Sequence, residues 1–233
     1  MKFTVNKIRT SSAILALLLT STAYALDVNI SENVQSIEVM HNGVPVTVQR
    51  IQNQSHHLTG GFTKTSRKCP PFCIQPIQTA PGVTTVGELE VLKFMQTKLK
   101  NGTGLLIDAR TPDWHKKGTI PGSINIPFTT FSHSQYHPKM RDAMTQLGAK
   151  LKESGGNLMS DLVSKIGLGS SANSPWDYSN AKDIMLWCNG MWCGQSPRAI
   201  KNLLKQQYPA DKIYYYRGGM QSWQILGLTV VIP

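Results

Sequence analysis

Residues 183–208 read DIMLWCNGMWCGQSPRAIKNLLKQQY. An apolar run, Asp183 to Trp187, ends at Cys188, and a loop over residues 189–195 follows with glycines at 190 and 194. Ser196-Pro197 then pairs a good helix N-cap with proline at a first helical position. Beyond it, Ala199, Ile200 and Leu203 return at helical spacing. A short buried strand that feeds a helix through a tight loop is half of a parallel α/β unit. In such sheets ligands bind beyond the carboxyl ends of the strands. The spacing therefore places the Cys188 thiol at the mouth of a sheet, facing a helix N-terminus.

Outward from that unit the same alternation continues. "GLLIDAR" predicts a buried strand, "KIYYY" another, and "GGMQSWQILG" a helix closed by Gly227. "TVGELEVLKFMQTKL" predicts a helix with Thr85 as N-cap and Glu88 completing a capping box. "DAMTQLGAKLKE" and "NLMSDLVSKIG" also have helical spacing. Strands alternating with helices imply a parallel sheet covered on both faces. Before this unit the texture differs. "SIEVMHNGVPVTVQRI" alternates on both sides of Asn42-Gly43, which suits a tight I′ hairpin. Pro70, Pro71 and Pro76 rule out regular structure around "CPPFCIQPIQ". The organisation expected is a leader over 1–25, a small β-containing extension over 26–80 and an α/β domain over 81–233.

The leader is read from Lys2, Lys7 and Arg9, an apolar run from Ala13 to Leu19, and Ala23-Tyr24-Ala25. That order is a secretory signal with an A-x-A cleavage site. Its apolar core is shorter than the roughly 20 residues of a membrane span, and no later stretch reaches that length. The mature chain is expected to start near Leu26 in an oxidising compartment, the periplasm of a Gram-negative cell. The net charge of +11 loses three cations with the leader, leaving about +8, which favours small anionic substrates or an acidic partner. No nucleic-acid motif is present, and no nucleic-acid partner or membrane span is expected.

All four cysteines lie beyond the leader, as the local pairs Cys69/Cys73 and Cys188/Cys193. The residues left after cleavage are ample for a core, so small-fold staples are not required. Chain entropy gives a ring as short as 188–193 only roughly 2 kcal/mol, against about 5 for a bridge to the distant pair. A local pair there stabilises little, which favours reactivity. Helix N-termini and nearby cations bring a cysteine pKa down to roughly 3.5–7.5. Glycines let the loop amides of Asn189, Gly190, Met191, Trp192, Gly194, Gln195 and Ser196 curl into an anion-binding nest. "CPPFC" reads as a small disulfide-closed loop, Cys69 with Cys73, or as a second redox pair able to exchange with the loop cysteines.

"LLIDARTPDWHKKGTIPGSINIP", with Asp108, Arg110, Trp114, Gly118, Ile120, Pro121, Gly122, Asn125, Ile126 and Pro127, resembles the first signature of the rhodanese-like sulfurtransferase family. "YYYRGGMQSWQILGL" resembles the closing segment through Arg217, Gly218, Gly219 and Trp223, and "CNGMWCGQSPRA" stands where the family places its nucleophile. The resemblance covers roughly residues 81–231. It implies a three-layer α/β/α rhodanese-like domain with a central parallel sheet, with the small β-containing extension added. It also implies that Cys188 takes a sulfane sulfur from thiosulfate or a persulfide, holds it as a persulfide and passes it to a nucleophile. Asp108 and Arg110 would order the region below the site. This loop differs from the common six-residue one: it has eight residues from Cys188 to Gln195, with Cys193 where a polar residue is frequent. Arg198 lies beyond it in the helix, and the Cys-x5-Arg phosphatase spacing is absent because Gly194 is six residues after Cys188.

Cys193 suggests a second chemistry, since a neighbouring thiol can displace a persulfide sulfur and close a 188–193 disulfide. The alternatives are therefore a thiol–disulfide protein using Cys188 and Cys193, and a module that binds sulfur species without turnover. A periplasmic redox or sulfur-acceptor protein is a candidate partner. His56-His57 near Cys69 and Cys73 fits no zinc spacing, His133 and His137 read as solvated, and neither a metal nor a cofactor is expected.

Overall fold

The computed structural model describes residues 27–152 and 174–233. The leader and the segment "NLMSDLVSKIG" lie outside these residues. Among the described residues a hairpin comes first, β1 (Ser36–His41) and β2 (Val44–Gln49), turning at Asn42 and Gly43 with φ of 50° and 80°. Two consecutive positive φ values are what a I′ turn demands, and Asn-Gly meets that demand at least steric cost.

Five parallel strands form the central sheet: β3 (Thr84–Val86), β4 (Gly104–Asp108), β5 (Ser123–Asn125), β8 (Asp183–Trp187) and β9 (Ile213–Tyr216), in the order β3-β9-β8-β4-β5. A two-residue ribbon, β6 (Lys150–Leu151) with β7 (Trp176–Asp177), pairs outside it. The helices are α1 (Glu88–Phe94), α2 (Pro112–His115), α3 (Pro138–Gln146), α4 (Gln195–Lys205) and α5 (Gly219–Ile225).

Pleating divides β8 between two cores. Ile184 and Leu186 face one cluster with Met140 and Met144 of α3 and Ile200 and Leu203 of α4. Met185 and Trp187 face the other, with Val91 of α1, Trp223 of α5 and Ile37, Val39 and Val48 of the hairpin. This is the expected three-layer α/β/α arrangement with a parallel sheet and added antiparallel strands. The hairpin shares a core with α1 and α5, so it folds as part of the same body.

Three local expectations are corrected. Thr85 is not a helix cap: Thr84–Val86 is an edge strand paired with Tyr214–Tyr216, and the helix starts two residues later, at a glycine that has no side chain to complete a capping box. Gly87 precedes α1, and its N–H donates to the Glu90 carboxylate at 3.0 Å. The helix expected through "DAMTQLGAKLKE" stops at Gln146, because Gly148 turns the chain with φ of 82°. A Cβ at Gly148 would stand 2.1 Å from the Asn180 carbonyl oxygen. His133 and His137 are not merely solvated: their rings stack 3.8 Å apart, and the Lys139 N–H donates to His137 Nδ1 at 3.2 Å at the start of α3.

Candidate active site

Cys188 follows β8 directly and is 2 % exposed. Its position is fixed from below. Trp187 Nε1 donates to Ser123 Oγ at 3.0 Å, and the Arg110 guanidinium lies 4.6 Å over the Trp187 ring. The Cys188 carbonyl accepts from the Met220 N–H at 2.9 Å, and the Asn189 carbonyl from the Gln221 N–H at 3.0 Å. Gly219 makes this seat, with φ of 54°; a Cβ there would meet the Cys188 carbonyl oxygen at 2.1 Å. Only glycine tolerates both constraints.

Above the strand the loop turns through a hydrogen bond from the Cys193 N–H to the Gly190 carbonyl at 2.9 Å. Gly194, not Ser196, precedes α4. Ser196 instead lies within the first turn, buried, and its hydroxyl donates to Cys188 Sγ at 3.2 Å. The expected cap is thus a direct neighbour of the sulfur. The N–H groups of Gly194 and Gln195 make no hydrogen bond among the described residues. They point to unused donor capacity at the helix start, the feature that favours an anion. Cys188 and Cys193 are joined by a disulfide, as are Cys69 and Cys73. In this state neither loop sulfur is a free thiol.

Asp108 and Arg110 form a buried ion pair, Nη2 to Oδ2 at 2.6 Å, with Nε on Oδ1 at 2.8 Å. Asp108 also accepts from Thr119 Oγ1 and lies 3.1 Å from His115 Nδ1. Burial drives its carboxyl pKa upward, but hydrogen bonds from Arg110 and His115 and the Arg110 charge outweigh it, and the net direction is down. Arg110 Nη1 reaches Asn189 Oδ1 at 3.4 Å, and Asn125 Nδ2 donates to the carbonyls of Asp108 and Arg110, each at 2.9 Å. The pair therefore props the loop from beneath.

Arg198 is exposed on α4, with its guanidinium 5.8 Å over the Phe128 ring. Arg217 is engaged elsewhere: Nε and Nη2 donate to the Gln75 carbonyl at 3.0 and 2.8 Å. Gln75 in turn donates its N–H to the Met191 carbonyl at 2.8 Å. The proline-rich extension thus lies against the cysteine loop. Trp192 joins in: its Nε1 donates to Gln221 Oε1 at 2.7 Å, Arg67 lies 3.8 Å over its ring, and Phe72 meets it edge-on. Gln75, Gln221 and Arg67 were not among the residues expected at the site. Their partners are distant in sequence, and no local pattern marks them.

Among the described residues no group of three or more His, Cys, Asp or Glu side chains is placed to hold a metal. No helix of the described residues is long and apolar enough to cross a membrane.

Residues 91–226 match the family model of the rhodanese-like domain. No curated protein matches the chain. Among solved structures, similar ones include a human single-domain sulfurtransferase, 17% identical, covering 61% of this chain and 96% of that one at a TM-score of 0.35. A Saccharomyces cerevisiae single-domain sulfurtransferase is 14% identical, covering 61% and 89%, at 0.34. A rhodanese-related protein of Thermoplasma volcanium is 17% identical, covering 64% and 99%, at 0.33. With the family model spanning more than half of its length, the chain belongs to the rhodanese-like domain family.

Proposed function

We propose that the chain is an exported sulfurtransferase that carries a sulfane sulfur on Cys188. The observation that supports this most is the contact between Ser196 Oγ and Cys188 Sγ at 3.2 Å, at the junction of β8 and α4. A hydroxyl donor and the helix N-terminus both favour the thiolate over the thiol. In the first step the Cys188 thiolate attacks the outer sulfur of thiosulfate, or of a persulfide donor. The donor's S–S bond breaks, and sulfite, or the donor thiolate, leaves with the electron pair. The Cys188 persulfide then passes its outer sulfur to a nucleophile, and the Cys188 thiolate is regenerated. Negative charge arises on the sulfur in both steps, where unengaged helix amides stabilise it. The mature charge of about +8 suits anionic donors.

The protein works in this reading in the periplasm, beginning near Leu26, with a redox or sulfur-acceptor protein as partner. N-terminal sequencing of exported material checks this, and a retained Met1 contradicts it. The activity test is cyanide- or thiol-dependent sulfur release from thiosulfate, before and after reduction. Turnover is expected only after the 188–193 disulfide opens, and it is expected to be lost in Cys188→Ser. Binding of thiosulfate without turnover in the reduced protein would favour a carrier instead.

A second reading is kept because all four cysteines are disulfide-bonded: a thiol–disulfide protein that cycles Cys188 and Cys193. It predicts oxidation of a dithiol substrate at rates unaffected by thiosulfate.

A further inference from the structure

The two disulfides differ in access. Cys188 and Cys193 are 2 % and 5 % exposed, whereas Cys69 is exposed and Cys73 half-buried. Thiol–disulfide exchange needs a thiolate to reach a sulfur, so access limits its rate. A protein reductant can reach the outer pair and is kept from the inner one.

The two pairs are also joined. Gln75 stands two residues after Cys73, and its N–H donates to the Met191 carbonyl at 2.8 Å. Its side-chain Nε2 donates to the Cys73 carbonyl at 2.8 Å. The same nitrogen would lie 3.7 Å from a Cβ built on Gly194, the neighbour of Cys193. One side-chain amide therefore separates the backbone at Cys73 from the backbone beside Cys193. Cys69 opens into a cleft of about 920 Å³ whose walls include Met191 and Trp192 of the cysteine loop. Lys64, Arg67 and Arg217 line the same cleft. Cations lining the cleft into which Cys69 opens favour the Cys69 thiolate, the group that makes the resolving attack below. Phe72, 42 % exposed, and Ile74, 81 % exposed, flank the outer disulfide with apolar surface.

We propose that Cys69–Cys73 is the entry point for reducing equivalents to Cys188–Cys193, delivered by an external dithiol protein that docks over the outer pair. The inference rests on the reading that Cys188 works as a free thiolate. In the first exchange the dithiol attacks the outer disulfide and leaves oxidised. Two electrons and two protons pass to Cys69 and Cys73. In the second, the Cys73 thiolate attacks Cys193 Sγ and the Cys188 thiolate departs. Cys69 then attacks Cys73 Sγ, closing the 69–73 bond and freeing Cys193. The net result is one oxidised partner and two free thiols in the loop. The proline-rich segment is then a redox inlet laid against the catalytic loop.

The test uses the oxidised mature chain with reduced thioredoxin as the protein dithiol, and tris(2-carboxyethyl)phosphine as a small reductant. Timed alkylation and peptide mass mapping follow each pair separately. In the wild type, thioredoxin is expected to open the Cys188–Cys193 bond at least tenfold faster than in the Cys69→Ser/Cys73→Ser variant. The phosphine is expected to open it at similar rates in both. Equal rates with thioredoxin would overturn the proposal. In Cys69→Ser alone, Cys73 is a free thiol from the start, so without added reductant it should displace Cys188 and hold a Cys73–Cys193 mixed disulfide with Cys188 free, and the absence of that species counts equally against the relay. Persulfide formation on Cys188 is measured in the phosphine-reduced samples once the phosphine has been removed, because a phosphine takes the outer sulfur from a persulfide. If that fails while the mixed disulfide forms, the sulfurtransferase reading falls and the relay stands.

Discussion

The Arg217 guanidinium grips the Gln75 carbonyl with two N–H groups, at 3.0 and 2.8 Å, across 142 residues of sequence. This contact ties the proline-rich segment to the end of β9, beside the cysteine loop. Hydrogen bonds from a charged donor contribute about 1.5–3 kcal/mol each, so losing both should free the segment locally without unfolding the core. Arg217→Ala is expected to raise protease cleavage within residues 64–80 by about tenfold or more, with an unchanged melting transition of the α/β core. Unchanged cleavage would show that Gln75 is held by other contacts.

Asp108 gives a pH prediction. Its folded-state pKa lies below the ordinary carboxyl value. A depressed carboxylate contributes stability that is present above the unfolded pKa and lost as pH falls through the folded one. Stability should therefore fall on acidification below about pH 4. Asp108→Asn leaves Arg110 buried with no charged partner and should cost about 3–5 kcal/mol at neutral pH. It should also flatten that acid limb. Urea unfolding at several pH values measures both effects, and an unaltered acid limb would remove Asp108 from the account.

Ser196→Ala removes the hydroxyl that donates to Cys188 Sγ. Losing a donor to an anion raises the pKa, and each unit corresponds to about 1.4 kcal/mol. In the reduced protein, the pH profile of Cys188 alkylation should move upward by about one unit. Sulfur transfer at neutral pH should slow by roughly tenfold. A profile that does not move would mean that the hydroxyl only packs against the sulfur.

Much of the architecture was legible because it rests on local pattern. The β8–loop–α4 unit, the hairpin at Asn42-Gly43, β4 and β9 all carry their periodicity within a few residues. What was misread depended on partners far away in the chain. Thr84–Val86 looks like the approach to a helix, yet it hydrogen-bonds to Tyr214–Tyr216, a pairing no local rule reveals. Ser196 looks like a cap because it precedes a proline, but the chain enters α4 two residues earlier and turns its hydroxyl to Cys188. The site showed the same division. Cys188, Cys193, Asp108 and Arg110 stand in recognisable segments, whereas Gln75 and Arg67 reach the loop from a segment without periodicity. Arg198 stands in sequence beyond the loop, in the helix, and in space its guanidinium lies over Phe128.

Cys193 is expected to act as resolver or regulator. Cys193→Ser should keep persulfide formation on Cys188 while making activity insensitive to mild oxidation, since no loop disulfide could close. Limiting alkylation of the reduced wild type should label Cys188 first. Labelling of Cys193 first, with the persulfide on Cys193 when Cys188 is serine, would reverse the two roles.

The most direct measurement is the intact mass of the fully reduced protein with and without thiosulfate. One sulfur atom adds about 32 Da, the mark of a persulfide. This increase is expected in the wild type and in Cys69→Ser/Cys73→Ser, with its removal by cyanide and its absence in Cys188→Ser. A reduced wild type that gains no mass, or a Cys188→Ser variant that still gains it, contradicts sulfur transfer through Cys188.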